Sequence, residues 1–113
     1  MPDEPAPPLS AEDAKLVTLA RAARSRIRAA EGAAVRDGDG RTYAGATVAL
    51  PSVKLSALEL AVASAAAAGA STLEAAAVVT EASTVDSVAV RDLNPAAPVY
   101  HARSDGSLVD SAP

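Results

Sequence analysis

The chain has 113 residues, half of them hydrophobic by count, and a formal net charge of −4. That length suits one small domain, and the acidic balance gives no prior for binding nucleic acid. With no cysteine anywhere, disulfides and thiolate metal sites are excluded.

Residues 1–9 carry four prolines and read as a disordered tail. No basic stretch there precedes an apolar one, so a signal peptide is not expected. Ser10 opens a first helix, with Ser10 and Asp13 spaced as a capping box and Glu12 well placed for the helix dipole. Leu16, Ala20, Ala23, Ile27 and Ala30 recur at helical spacing on one face, and Arg21, Arg24 and Arg28 on another. The arginine stripe, with Arg26 beside it, reads as a solvated face rather than a phosphate site. Gly32 is expected to end the helix.

A strand follows over Ala33–Arg36, and then Asp37-Gly38-Asp39-Gly40. Gly tolerates positive φ and Asp makes local turn bonds, so this is a hairpin signal. It lacks the length and the closing Glu of a calcium loop. Arg41–Leu50 is the return strand, which Pro51 and Ser52 interrupt to start a second helix over Ser52–Ala68. That helix is apolar nearly all round, which marks a buried one. Gly69 caps it.

Leu73–Thr80 is a further strand, and Ala75–Val79 within it shows no alternation. A strand covered on both faces reads that way. A short helix over Thr84–Leu93 ends at Asn94-Pro95, and a last strand covers Pro98–Arg103. Leu108 and Val109 either add an edge strand or fray into a tail over 110–113. A hairpin followed by β-α-β crossovers gives an α/β fold with three layers, α/β/α, around a mixed sheet of 4–5 strands. The single domain spans 10–109.

The core hydrophobes are small: no Phe, no Trp, two Tyr and one Met, with alanine dominant. Apolar area is worth ~25 cal/mol per Å². Such a core therefore needs close approach of helix to sheet, or burial against another subunit. A homo-oligomer, dimer or tetramer, is expected on that ground. The longest apolar run, from Ala57 to Ala70, is broken by Glu59 and is too short to span a bilayer. A cytoplasmic location is expected, and the high Ala, Arg and Val content with few Lys hints at a bacterial source.

Asp39-Gly40-Arg41-Thr42-Tyr43-Ala44-Gly45, then Ala46-Thr47-Val48-Ala49-Leu50, and the order of elements around them resemble the cytidine deaminase superfamily over roughly residues 11–105. Members carry an Asp-Gly-x-x-Tyr-x-Gly turn and an Asn-Val-Glu-like segment. Cys-Ala-Glu opens their central helix, and Pro-Cys-x-x-Cys opens the next. The resemblance implies that fold and, in ordinary members, a zinc-activated water and a proton-shuttling Glu. The frame is kept here and the functional positions are not. The ribose-gripping Asn and Glu fall on Thr47 and Ala49. The first zinc ligand falls on Leu58, or on Ala57 with one residue deleted, and the acid correspondingly on Leu60 or Glu59. The Pro-Cys-x-x-Cys place holds Thr84-Val85-Asp86-Ser87-Val88, with Val85 and Val88 where thiolates would stand.

Aliphatic side chains offer zinc no lone pair. The resemblance therefore implies a degenerate member with no metal ligand and no cofactor. Glu59 is a relict of the acid, or an ordinary Glu on the one wet turn of its helix or paired with an Arg of the first helix. The lone His101 stands in an apolar strand beside Tyr100 with no nucleophile or orienting acid near it in sequence, and reads as a structural or surface histidine. Two functions stay open. One is a catalytically inactive, self-associating binding or scaffold module, with Leu58, Val85 and Val88 filling the old pocket. The other is a nucleoside-binding protein, or a deaminase-type hydrolase with an altered zinc-free site, with Glu59 and Thr47 facing an open cleft. The small-molecule ligand is unknown from sequence.

Overall fold

The computed structural model describes residues 9–109. The expected tails over 1–8 and 110–113 lie outside the described residues. Leu9, read as the end of the tail, packs against the core.

The first helix, α1, runs Ala11–Ile27. Ser10 caps it, its Oγ accepting from the Asp13 amide at 3.1 Å. Only half of the expected box forms, because the Asp13 carboxylate turns away to Arg36 and Tyr100. The helix stops at Arg28 rather than at Gly32, so Ile27 is 64 % exposed and Ala30 lies outside the core face. Gly32 instead begins β1, Gly32–Asp37. It is needed there for close approach: a Cβ would fall 2.0 Å from the Ala20 carbonyl oxygen of α1.

The Asp37–Gly40 hairpin forms as expected and leads into β2, Thr42–Ala46, antiparallel to β1. The long return strand expected over Arg41–Leu50 does not. Beyond Ala46 the chain leaves the sheet, and β3 (Val48–Ala49) pairs with β4 (Lys54–Leu55) as a separate two-stranded ribbon. Pro51 and Ser52 sit in its turn, closed by the Leu50 amide on the Val53 carbonyl at 2.9 Å. The second helix, α2, therefore starts later than expected, at Ala57, and runs to Ala67.

Next come β5 (Leu73–Val79), α3 (Val88–Arg91) and β6 (Val99–Ala102). The helix expected over Thr84–Leu93 shrinks to one turn, with Ser87 rather than Thr84 at its N-cap position and no capping bond from the Ser87 side chain. The four-stranded sheet has the order β2-β1-β5-β6, with β5 antiparallel to β1 and parallel to β6. Leu108 makes a single antiparallel bridge to Ala102, which is all that forms of the edge strand.

As the run Ala75–Val79 implied, β5 is buried on both faces. Ala75, Ala77 and Val79 join Leu16, Val17 and Ala20 of α1. Ala76 and Val78 join Leu58, Ala61, Val62 and Ala65 of α2, together with Val90 of α3. The result is the three-layer arrangement, and the small hydrophobes work through close contact. Gly45 of β2 lies under α2, where a Cβ would stand 2.9 Å from the Ala57 carbonyl oxygen.

Candidate functional site

The α2/α3 face carries the depression of interest. It holds about 320 Å³ and is lined by Ser56, Glu59, Asp86, Val88, Ala89 and Asp92. Its position follows from local sequence. Ser56-Ala57-Leu58-Glu59 is a capping box that fixes where α2 begins. The Glu59 amide donates to Ser56 Oγ at 3.0 Å, and the Ser56 amide donates to Glu59 Oε1 at 2.7 Å. Across the depression, Asp86 Oδ1 accepts from the Val88 amide at 3.0 Å at the start of α3. Three carboxylates thus share the lining with no cation among them.

The residues singled out from sequence are dispersed. Leu58 is 2 % exposed and faces the core beneath α2, and Ala57 is buried beside it. Val85 is half-buried against the same core cluster. Val88 is 68 % exposed and lines the depression instead of filling it. Glu59 is exposed, and one carboxylate oxygen is committed to its own helix start. Thr47 stitches the sheet: its Oγ1 accepts from the Glu31 amide at 3.0 Å. Ala49 is exposed on β3. Neither Thr47 nor Ala49 lines the depression, so only Glu59 and Val88 of the expected set meet there.

Ser56, Asp86, Ala89 and Asp92 were missed. The Ser-x-x-Glu spacing of residues 56–59 was the legible signal for the first. The other three meet it only because the fold lays α3 beside α2.

His101 is 7 % exposed on β6, and its Nε2 has no hydrogen-bond partner among the described residues. The arginine stripe is partly structural. Arg21 Nε donates to the Ser104 carbonyl at 3.1 Å and Arg24 Nε to the Ala30 carbonyl at 3.3 Å.

Two polar clusters lie elsewhere. At the β1–β2 turn the Asp37 carboxylate accepts from the Tyr43 hydroxyl at 2.8 Å and from the Asp39 and Arg41 amides, each at 2.9 Å. Burial pushes this carboxyl up, but the Tyr43 hydroxyl and the two amides outweigh it and hold the group below its ordinary value. Under α1, Arg36 bonds Asp13 at 2.9 Å and Glu74 at 2.8 Å, and the Tyr100 hydroxyl donates to Asp13 at 2.7 Å. There too burial acts upward on Asp13 and is overcome by Tyr100 and Arg36, so its carboxyl lies low. Burial, and then the bond to Asp13, raises the Tyr100 phenol.

Zinc in a site of this general kind requires three donors from thiolate, imidazole or carboxylate. Among the described residues no three of His, Cys, Asp and Glu are grouped so as to hold a metal ion. The three carboxylates around the depression do not form such a group, and one of them closes a helix cap. The donor chemistry present does not fit zinc. No helix of the described residues is long and apolar enough to cross a membrane.

A three-layer α/β/α domain with a four-stranded mixed sheet and a depression where two helices begin is the class these observations define. Residues 9–106 match the family model for cytidine deaminase-like proteins, and the chain belongs to that family. Of solved structures, 17 chains match. One is the crystal structure of cytidine deaminase from Burkholderia pseudomallei, with a TM-score of 0.72 and 26 % identity, covering 89 % of this chain and 91 % of that one. No curated protein matches in sequence.

Proposed function

We propose that this chain is a catalytically inactive cytidine-deaminase-like protein that self-associates as a binding or scaffold module in the cytoplasm. The observation that carries the reading is the donor chemistry: there is no cysteine in the chain, and its single histidine is buried on β6. Without a metal-bound hydroxide, attack on a cytosine ring lacks its nucleophile at neutral pH. Glu59, the one acid on α2, is occupied as a cap. Self-association is supported by the outward side of α2. There Ala63, Ala66 and Ala67 are exposed with no charged neighbour on the helix beyond Glu59, and Leu50 and Val53 are exposed on the nearby ribbon.

The second reading, a nucleoside-binding protein without zinc, is favoured by one observation: the depression is open and carries polar side chains from both helix segments that line it. A thermal-shift screen with cytidine, deoxycytidine, uridine and nucleotides, run beside metal analysis, separates the two. A ligand present at 100 times its dissociation constant adds ~2.7 kcal/mol. The inactive reading expects a flat screen, no zinc, and a dimer or tetramer by light scattering. A nucleoside-dependent rise supports the second reading, and one zinc per chain overturns both.

A further inference from the structure

We infer that the start of α2 is held by its own Ser56–Glu59 capping box in place of a metal, so that the helix start is closed from within and apolar contact, not coordination, joins it to α3. This deepens the metal-free reading above and rests on it. The helix start is satisfied from within: Ser56 Oγ takes the Glu59 amide and Glu59 takes the Ser56 amide. The Leu60 amide donates to the Ser56 carbonyl at 3.0 Å, so the first turn closes on the same residue. Contact with α3 is apolar. Val90 is fully buried in the cluster that holds Ala57, Leu58 and Val62. Zinc draws on thiolate, imidazole and carboxylate; a serine hydroxyl already accepting from a backbone amide is outside that set.

The box also accounts for Glu59 without any proton chemistry. At the third helical position an acid both bonds the cap and meets the positive end of the helix dipole. A relict acid would be replaceable without loss of stability, whereas a capping acid would not. Glutamine can make the same backbone bond, and alanine cannot.

The test is a melting series on the full chain. Ser56→Ala is expected to lower Tm by about 4–8 °C, the shift produced by losing one N-cap in a domain of this size. Glu59→Gln is expected to hold Tm within about 2 °C, and Glu59→Ala to fall between the two. Excess EDTA is expected to change nothing in any of them. The inference is overturned if Ser56→Ala and Glu59→Ala both melt with the unmodified chain, or if EDTA lowers its Tm. The first outcome removes only the capping role. An EDTA effect, or zinc bound by the unmodified chain, removes the metal-free reading as well.

Discussion

The two faces of the sheet are held by different means. Beneath α1 lies a polar clasp: Arg36 between Asp13 and Glu74, and Tyr100 on Asp13, which together tie α1, β1, β5 and β6. Arg21 and Arg24 add bonds from the same helix to the Ser104 and Ala30 carbonyls. On the opposite face α2 meets the sheet through Leu58, Val62 and alanines, and the polar bonds at its start stay within the helix itself, while α3 adds Val90 and two bonds nearby, from Arg91 to the Ala97 carbonyl at 2.6 Å and from Asn94 Nδ2 to the Leu73 carbonyl of β5 at 2.8 Å. The contrast teaches where this chain keeps specificity. The α1 helix is joined to the sheet by directional side-chain bonds that fix register, whereas α2 is joined to it by shape alone.

The largest effects break the close contacts on each face. Gly32→Ala puts a methyl 2.0 Å from a backbone oxygen of α1, and a backbone atom cannot swing aside. Its cost is expected to exceed about 3 kcal/mol, seen as loss of soluble protein. Gly45→Ala meets the α2 backbone at 2.9 Å and is expected to cost about 1–3 kcal/mol by urea denaturation. Equal costs would mean that both helices float equally on the sheet and that the contrast in packing is false.

Next is Arg36→Met, which removes the centre of the clasp and leaves Asp13 with Tyr100 alone. A destabilisation of about 1–3 kcal/mol is expected, smaller than for a fully enclosed ion pair because these side chains retain some solvent contact. Acid titration reads the same cluster. Asp13 and Asp37 have lowered pKa values in the folded chain. A depressed carboxylate contributes stability above its unfolded value, ~3.9, and that contribution is lost as pH falls through the folded value. The urea midpoint is therefore expected to hold down to about pH 5 and to drop below about pH 4, with a shallower drop in Asp13→Asn. Tyr100, raised, acts in the opposite sense: its share is present below the ordinary phenol value and is lost as pH rises through the folded one.

The layers were legible because their signals are periodic or continuous. Leu16, Ala20 and Ala23 mark one face of α1, and Ala75–Val79 marks a strand buried on both sides. The β3–β4 ribbon was not legible, because Pro51-Ser52 reads equally as a helix start or a turn. The stronger start, Ser56-x-x-Glu59, lay four residues on. The short α3 has too few residues to show a period. The depression joins Ser56 and Glu59 to Asp86 and Asp92, some thirty residues away in sequence, and nothing in either segment states that neighbourhood. Assigning ligand positions by register misplaced the local picture for the same reason. Leu58 and Val88 look alike as aliphatics, yet one is enclosed and the other faces solvent.

The smallest effect sharpens the comparison between the helices at their ends. Both finish in the same motif. In α1 the Ala29 amide reaches the Arg24 carbonyl at 3.0 Å and the Arg28 amide reaches Ser25 at 3.3 Å. In α2 the Ala70 amide reaches Ala65 at 2.9 Å and the Gly69 amide reaches Ala66 at 3.0 Å. Each motif needs one left-handed residue. In α2 this is Gly69, at φ 96°; in α1 it is Arg28, at φ 52°. A side chain with a Cβ is strained there and glycine is not. Arg28→Gly is therefore expected to stabilise the chain by about 0.5–1 kcal/mol, and Gly69→Ala to destabilise it by about 1 kcal/mol. The second value isolates the backbone term, since a Cβ at Gly69 meets nothing within 4 Å. If chemical denaturation shows Arg28→Gly to be neutral while Gly69→Ala costs the full amount, then Arg28 recovers its strain through its own side chain, and the α1 end belongs with the polar clasp.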